Sequence, residues 1–293
     1  MITVSYSSSD EFQRRAYASI LEHGIQIAPR GLVTLEIGPV LAAFPNPRAR
    51  LTFNPARRWS MPLAIAELCW HARGDTDLEP LTFYAPSWKN YSDDKRSVLG
   101  SCYGRKIFGT DRFRRSRWEN VKTLLRSDPS SQRAVIPVFD SNTDVSERTR
   151  DVSCTLSFQF LIRDNRLDMI CNMRSNDIFL GFPYDFFLFT MLQEVMSREL
   201  DVPLGTYFHS VGSLHLYARD IARVRRILSE PAANNEELGM EPIDQAQGLY
   251  ELASREIEIR LGLPKSKMNY SKYWSDLECI LSDFCFRRES VDL

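Results

Sequence analysis

The chain has 293 residues, of which 43% are hydrophobic and 26% are charged, as in an ordinary globular protein. Its formal net charge is −1 and its charges are interspersed, which argues against a nucleic-acid or membrane partner. The first residues lack the basic and apolar regions of a signal peptide, and no apolar run reaches the roughly 18 residues of a membrane span. Six cysteines show no spacing that suits zinc, so we expect no metal site and a reduced, cytoplasmic protein.

The first part of the chain predicts two helices and a strand. Residues 10–25 have the pattern of a helix and residues 31–37 that of a strand, with Arg30 in the Pro-Arg-Gly turn between them. Residues 61–73 predict an apolar helix that carries one glutamate, Glu67. On sequence alone, such a glutamate is expected to face solvent or to pair with an arginine.

A further helix pattern at 115–126 leads through Gln132 and Arg133 into an apolar run at 134–139. Pro137 lies inside that run. Because proline cannot donate to a ladder of backbone hydrogen bonds, the run is predicted to be an edge strand or to contain a bulge.

The most informative pattern is a predicted hairpin in the middle of the chain. Two alternating runs, 154–163 and 166–174, are joined by two turn-forming residues, which predicts an antiparallel pair. Pairing across a two-residue loop is expected to place Cys154 opposite Ser175, with roughly 4.5–5.5 Å between them. A thiol beside Arg174 is a candidate nucleophile because a cation favours the thiolate, although a cysteine on an apolar strand is ordinarily inert packing.

Residues 186–200 predict a strongly apolar core helix. On sequence alone, Asp185 is expected to cap the N-terminus of that helix, because aspartate there accepts amide hydrogen bonds. His215 and Tyr217 alternate with leucines and therefore share one face of a predicted strand. From residue 221 onward the pattern is mostly helical.

Six groups of residues resemble the core motifs of thymidylate synthase, in that family's order and at about its spacing. They are Ala66-Glu67-Leu-Cys-Trp70 with Gly74-Asp-Thr76, Leu99-Gly100-Ser-Cys-Tyr103-Gly104, Cys154 with Gln159, Arg174-Ser175-Asn-Asp177, Leu180-Gly181-Phe-Pro183-Tyr-Asp185, and Gly212-Ser-Leu-His215-Leu-Tyr217. The resemblance is strongest over residues 28–220, whereas residues 221–293 are a divergent helical part. It implies an α+β fold with a large mixed or antiparallel sheet flanked by helices, a single domain over residues 1–293, and a homodimer that packs sheet against sheet.

The resemblance also implies site residues. Cys154 is then the nucleophile, and Glu67 holds waters and assists proton transfer, for which a raised pKa is suited. Residues implied to bind the nucleotide are Arg30, Gln132, Arg133, Gln159, Arg174, Ser175, Asp185, His215 and Tyr217. Residues implied to contact the folate are Trp88, Asp177 and Gly181. Of the two arginines that the family uses to bind the partner subunit's phosphate, only Arg133 is present, and Gln132 replaces the first.

Three positions resemble the cytidylate and deoxycytidylate hydroxymethylases rather than the methylating enzymes. Asp185 stands where thymidylate synthases have asparagine, and Ser213 where they have aspartate. The run Asn172-Met173-Arg174 replaces a glutamine before the arginine. An asparagine amide can donate to uracil O4 and accept from N3–H. A carboxylate only accepts, so Asp185 matches the 4-amino group and protonated N3 of cytosine.

The sequence thus predicts an enzyme with Cys154, Glu67 and Asp185 as catalytic residues. We expect it to convert CMP or dCMP to the 5-hydroxymethyl nucleotide, with 5,10-methylenetetrahydrofolate as co-substrate and tetrahydrofolate as product. The alternatives are a thymidylate synthase proper, a cytidylate C5-methylase, and a non-catalytic nucleotide-binding relative, the last suggested by the arginine lost at Gln132. The sequence leaves the choice between ribose and deoxyribose open.

Overall fold

The computed structural model describes residues 3–52, 54, 56–110, 115–141, 149–233, 239–264, 266–268 and 271–289. Its strands are β1 (Val4–Ser5), β2 (Ile25–Ile27), β3 (Thr34–Ile37), β4 (Val40–Phe44), β5 (Val135–Pro137), β6 (Thr155–Arg163), β7 (Arg166–Asp177) and β8 (Leu204–Tyr217). Its helices are α1 (Ser9–His23), α2 (Met61–Arg73), α3 (Glu79–Tyr84), α4 (Tyr103–Phe108), α5 (Arg117–Ser127), α6 (Gly181–Leu200), α7 (Ile221–Ser229), α8 (Gly248–Arg260) and α9 (Lys272–Glu289). Short 3-10 segments cover Pro29–Gly31, Pro86–Tyr91 and Ala218–Asp220.

The eight strands form one mixed sheet in the order β1-β4-β8-β7-β6-β5, with β3 and β2 beside the second half of β8. The pairs β1–β4 and β7–β8 are parallel, and the other pairs are antiparallel. Parallel neighbours need a long crossover connection, and α6 supplies it between β7 and β8. The predicted α+β fold with a mixed sheet flanked by helices is confirmed, whereas one domain over residues 1–293 stays a prediction.

The predicted hairpin of β6 and β7 is confirmed, but one of its pairings is wrong. The ladder runs as predicted from Arg163, opposite Arg166, to Ser157, opposite Asn172. A β-bulge then shifts the register, and the backbone N–H of Arg174 donates to the carbonyl of Cys154 over 2.9 Å. Cys154 therefore lies opposite Arg174 and not opposite Ser175, because a bulge sets two residues of one strand against one of the other.

Helix α6 forms the centre of the core and begins earlier than the apolar pattern indicates. It starts at Gly181, so Asp185 lies in its second turn and cannot be its N-cap, and the capping expectation is wrong. Phe186, Phe187 and Phe189 are fully buried on this helix. Since its ends are fixed by β7 and β8, α6 holds the residues of its first two turns against the C-terminal end of β7.

The last helix, α9, lies in a segment that looks polar in the sequence. Its buried residues are Trp274, Leu277, Leu281 and Cys285, at intervals of three and four that place them on one face. This face packs against α2 and α8. No helix in the described part of the chain is both long and apolar enough to span a bilayer.

The sheet has one face covered by helices and one face that is open. Side chains of alternating residues on β6, β7 and β8 are buried beneath α6. On the other face, Ile170 pairs in register with Phe208 and with Gln159, which in turn pairs with Val135. Val135 is 41% exposed, and Leu41 on β4 is 40% exposed. Apolar side chains in register on an open sheet face are typical of a surface that packs against a partner.

Candidate functional site

The candidate site lies where β6, β7 and β8 meet the first turns of α6 and the middle of α2. Cys154 immediately precedes β6, Arg174 and Asp177 lie near the end of β7, Asp185 lies in α6, and Glu67 lies in α2. The charges of Arg174, Asp185, Arg30 and Asp177 all act on the thiol of Cys154. The fold therefore brings predicted residues from four elements into one cluster around the thiol, and the space that this cluster lines is called the cavity below.

Cys154 is held beside a guanidinium that the bulge has brought opposite it. Nη2 of Arg174 lies 3.8 Å from Sγ of Cys154, and Nε donates to the carbonyl of Ser153 over 2.8 Å. Burial raises the pKa of the Cys154 thiol, and Arg174 opposes this effect only in part. The thiol form therefore predominates at neutral pH, and Arg174 is placed to stabilise the thiolate when it forms.

Glu67 is buried and pairs with no arginine among the described residues, so the ordinary expectation of a solvent-facing or arginine-paired side chain is wrong. Its carboxylate accepts a hydrogen bond of 3.1 Å from the indole N–H of Trp88. Burial raises the pKa of Glu67 to about 8, the bond from Trp88 lowers it, and the charge of Asp185 raises it. A carboxyl that exchanges a proton near neutral pH is suited to proton transfer.

Asp185 is a second carboxyl whose ionisation is displaced toward neutrality. Its Oδ2 accepts a hydrogen bond of 2.7 Å from Nδ2 of Asn176. Burial raises the pKa of Asp185 to about 7, Asn176 lowers it, and Asp177 raises it. Its Oδ1 has no hydrogen-bond partner among the described residues, and the side chain is partly accessible from the cavity.

Asp177 and Gly181 form the turn by which β7 enters α6. Oδ1 of Asp177 accepts from the backbone N–H groups of Phe179 and Leu180, at 2.8 and 3.1 Å. A Cβ atom at Gly181 would lie 3.2 Å from Nδ2 of Asn176 and 3.4 Å from Oδ2 of Asp185. A side chain at position 181 would therefore crowd the hydrogen bond between Asn176 and Asp185, and glycine avoids this contact.

Several other residues predicted to bind the nucleotide form a second group at the edge of the cavity. Oγ of Ser175 lies 3.3 Å from Nδ1 of His215, and the rings of His215 and Tyr217 meet edge to face with centroids 5.2 Å apart. The guanidinium of Arg219 lies 4.4 Å above the ring of Tyr217. Arg30 acts electrostatically on both Tyr217 and Cys154, from a backbone conformation with φ of 54°.

The comparison with known proteins agrees with this geometry. The family model for thymidylate synthase matches residues 15–271. The chain belongs to the thymidylate synthase family. The resemblance predicted from the six motifs is therefore confirmed, together with the fold that it implied.

Two relatives illustrate the range of this thymidylate synthase family. A deoxyuridylate hydroxymethyltransferase of Bacillus phage SP01 is 28% identical over 230 residues, which cover 75% of this chain and 60% of the phage protein. A thymidylate synthase of Buchnera aphidicola subsp. Baizongia pistaciae is 27% identical over 179 residues, which cover 60% of this chain and 67% of that protein. The chain thus spans about 60% of the length of the phage relative.

Three residues with predicted nucleotide contacts lie away from the cavity. Gln132 and Arg133 are exposed, just before the edge strand β5. Nε2 of Gln159 donates to the backbone carbonyl of Gln132 over 2.9 Å, and Gln159 lies about 17 Å along β6 from Cys154. Within one subunit, these residues do not contact the other site residues, so their roles stay predictions that require a second subunit.

Sequence reasoning quoted Tyr103 within a motif but assigned it no role. Tyr103 is buried, and its ring stacks on His71 at a centroid distance of 5.4 Å. Burial raises the pKa of its hydroxyl, and the nearby charges of Asp185 and Cys154 raise it further. Its place in a motif was the available signal. No sequence signal indicated a role for Asn176, Tyr207 and His209, which lie behind Asp185. A histidine on an apolar strand, such as His209, is ordinarily part of the core. In the described part of the chain, no group of three ionisable residues could hold a metal ion.

The buried carboxyl of Glu67 should reduce stability as the pH rises. A carboxyl with a pKa of about 8 in the folded protein and an ordinary one in the unfolded chain is protonated in both states in acid, but ionises first in the unfolded chain. We expect Glu67→Gln, whose amide oxygen can still accept from Trp88, to match the wild type below pH 4.5. At pH 8 the variant should be more stable by about 4 kcal/mol. Urea denaturation at both pH values measures this difference, with exposed Glu22→Gln as control. A gain that is the same at both pH values would contradict the raised pKa.

Proposed function

We propose that this member of the thymidylate synthase family is a cytidylate C5-hydroxymethyltransferase, which converts CMP or dCMP to the 5-hydroxymethyl nucleotide. The observation that carries the proposal is Asp185, a carboxyl with a pKa of about 7 in the cavity of Cys154, at the position where the resemblance expects an asparagine. Its partner Asn176 holds one oxygen and leaves the other free for a base.

Asp185 supports cytosine through hydrogen-bond complementarity. The 4-amino group of cytosine donates and N3 accepts, so a carboxyl that carries one proton can accept from the first and donate to the second. A pKa of about 7 means that this proton is available at neutral pH. A mismatched buried polar group costs about 1–3 kcal/mol, which is enough to discriminate between bases.

The same proton prepares the base for the thiol. When Asp185 shares its proton with N3, electron density is withdrawn from C6. The thiol of Cys154 gives its proton to water, and the resulting thiolate adds to C6 to form the C6–S bond. Arg174, 3.8 Å from Sγ, stabilises the thiolate before addition. Addition of sulfur to C6 makes C5 nucleophilic, so the chain's own residues generate the carbon that is modified.

The co-substrate 5,10-methylenetetrahydrofolate supplies the one-carbon unit when it is bound, with Asp177, Gly181 and Trp88 as its proposed contacts. Oδ1 of Asp177 already accepts two backbone N–H groups, which leaves Oδ2 for an external donor. Such a ligand would cover the hydrogen bond between Trp88 and Glu67 and exclude bulk water from it.

Glu67 completes the reaction through protons and water. The C5 proton leaves to a water held by Glu67, whose pKa of about 8 allows it to accept and return protons. C5 bonds to the methylene carbon of the folate, whose two bonds to the folate nitrogens break as tetrahydrofolate leaves. A water then adds to this exocyclic carbon, its oxygen becomes the hydroxyl of the product, and Cys154 is expelled as C6–S breaks and regains a proton from water. The overall balance is cytidylate, 5,10-methylenetetrahydrofolate and water on one side, and hydroxymethyl-cytidylate and tetrahydrofolate on the other. A methylase would deliver hydride where this reaction delivers water.

Hydroxymethylation of a uridylate is the second candidate. The phage relative is named a deoxyuridylate hydroxymethyltransferase, and a protonated Asp185 could donate to uracil O4 while accepting from N3–H. The two candidates share every step at Cys154 and Glu67 and differ only in the pyrimidine that faces Asp185.

We further propose a homodimer that packs the open sheet face of one subunit against that of the other. The partly exposed residues Leu41, Val135, Ile170 and Phe208 support this arrangement. It would place the exposed Arg133 beside the partner's cavity, where its guanidinium would bind the nucleotide phosphate.

A product assay tests the reaction. The protein is incubated with 5,10-methylenetetrahydrofolate and each of CMP, dCMP, UMP and dUMP, and products are identified by mass. We expect a gain of CH2O on a cytidylate, and the faster sugar decides between ribose and deoxyribose. Cys154→Ala should lower the rate by more than about a thousandfold, whereas the exposed Cys279→Ala should not. A gain of CH2 with formation of dihydrofolate, or turnover of uridylates alone, would contradict the proposal.

Binding of cytidylate should depend on the proton of Asp185. In a Cys154→Ala background, the complex holds one proton shared between Asp185 and N3, and free Asp185 loses that proton above pH 7. The Kd of cytidylate, measured by calorimetry, should therefore rise about tenfold per pH unit above 7. Adding Asp185→Asn removes the carboxyl and should leave Kd level over the same range. Parallel pH curves for the two variants would refute the shared proton.

Subunit mixing tests the dimer. Arg133→Ala and Cys154→Ala should each be inactive, but a mixed dimer has one cavity with an intact thiol and an intact arginine from its neighbour. Equal mixing after reversible dissociation should restore about a quarter of wild-type activity. Ile170→Asp on the open face should give monomers in analytical ultracentrifugation, whereas Lys89→Asp, exposed elsewhere, should not. Full activity of a monomeric Ile170→Asp variant would refute the shared site.

A further inference from the structure

Behind Asp185 lies a line of buried polar side chains that has no part in the steps above. Nδ2 of Asn176 donates to Oδ2 of Asp185 over 2.7 Å. Oδ1 of Asn176 lies 3.1 Å from Nε2 of His209, and Nδ1 of His209 lies 2.9 Å from the hydroxyl of Tyr207. Three contacts thus join the interior of the sheet to one oxygen of Asp185.

The surroundings of these side chains determine which atom donates and which accepts in each hydrogen bond. Tyr207 and His209 are fully buried, and the rings of Phe12 and Phe182 lie 6.4 and 5.2 Å from the His209 ring. Burial lowers the pKa of His209 to about 3, so the ring is neutral and has one N–H. Because the amide of Asn176 donates to Asp185, its carbonyl must accept from Nε2–H of His209. Nδ1 then accepts from the hydroxyl of Tyr207, and every contact joins a donor to an acceptor.

We propose that Tyr207, His209 and Asn176 form a positioning relay that keeps Oδ2 of Asp185 an acceptor and so confines the carboxyl proton to Oδ1. These three residues do not touch the substrate. They act through Asp185, and the inference rests on the proposed role of Asp185 in reading the base.

The position of that proton decides which pyrimidine fits. Cytosine needs the proton on the carboxyl oxygen that faces N3, and an acceptor opposite its 4-amino group. Uracil needs the reverse, with the proton opposite O4 and an acceptor opposite N3–H. A free carboxyl can carry its proton on either oxygen and serves both bases, whereas one held by Asn176 offers a single arrangement. The relay therefore makes Asp185 selective.

Gly181 leaves room for this arrangement. The hypothetical Cβ at 3.2 Å from Nδ2 of Asn176 would press on the donor of the relay. Asn176 and Asp185 belong to different elements, β7 and α6, so their contact depends on the tight turn between them. The relay and the tight turn thus both constrain the positions of Nδ2 of Asn176 and Oδ2 of Asp185.

A purely structural role for these residues predicts a different result from a positioning role. A buried polar network stabilises a fold when it is fully satisfied, and its loss would lower activity on every substrate alike. Loss of positioning changes the ratio between substrates, because an unfixed Asn176 amide can turn its carbonyl toward Asp185 and free Oδ2 to carry the proton.

The test compares kcat/KM for cytidylate and uridylate in the full-length protein. His209→Phe keeps a buried ring but removes both nitrogens, and we expect the ratio of the two kcat/KM values to move toward one by about tenfold. His209→Gln, whose amide can still donate to Asn176, should restore most of the wild-type ratio. If His209→Phe does not fold, Tyr207→Phe removes only the hydroxyl that fixes the histidine tautomer and should shift the ratio in the same direction.

An unchanged ratio in a folded His209→Phe or Tyr207→Phe protein, with both rates lowered equally or not at all, would overturn the relay. Failure of the proposed function looks different. A wild type that prefers uridylate, or that makes a methyl product, would refute cytidylate hydroxymethylation, while a ratio that relaxes in the variants would still support the relay.

Discussion

Burial of ionisable groups governs the chemistry of this site. Glu67, Asp185 and Cys154 all have raised pKa values, and burial is the largest cause for each. The two carboxyls each accept one side-chain hydrogen bond that partly offsets this burial: Glu67 from Trp88 and Asp185 from Asn176. The fold is therefore less stable at neutral pH than it would be with neutral side chains at these positions, and in exchange it has groups that exchange protons there.

The sheet accounts for how such groups come together. Parallel pairing of β7 and β8 requires α6 to cross back over the sheet, which places Asp185 next to the end of β7. The bulge in β6 then sets Cys154 opposite Arg174. One change of register and one crossover thus define the positions of the thiol, the guanidinium and the carboxyl, and the remaining helices hold these elements in place.

Much of the fold could be predicted from the sequence, and the failures have physical causes. The turn of β6 and β7 was predictable because Asp164 and Asn165 tolerate left-handed backbone, which they adopt with φ of 48° and 55°. The bulge was not, because alternation continues in the sequence across residues 154–157. Helix α2 was predicted with its observed ends. Its pattern alone did not indicate the burial of Glu67, since the partner Trp88 lies 21 residues along the chain, and only the family resemblance pointed to a raised pKa. The sequence does not predict the relay, because no local pattern distinguishes a histidine that orients a carboxyl from one that only fills the core.

The packing of α9 against α2 has a consequence for how the protein is made. Helix α2, which carries Glu67, ends at Arg73, whereas the helix that covers it begins at Lys272. During synthesis, some two hundred residues must leave the ribosome before that cover exists, and long-range contacts of this kind form slowly. The apolar surface of α2 is therefore exposed until α9 has been made, and a nascent chain that lacks α9 is open to aggregation and to chaperone binding.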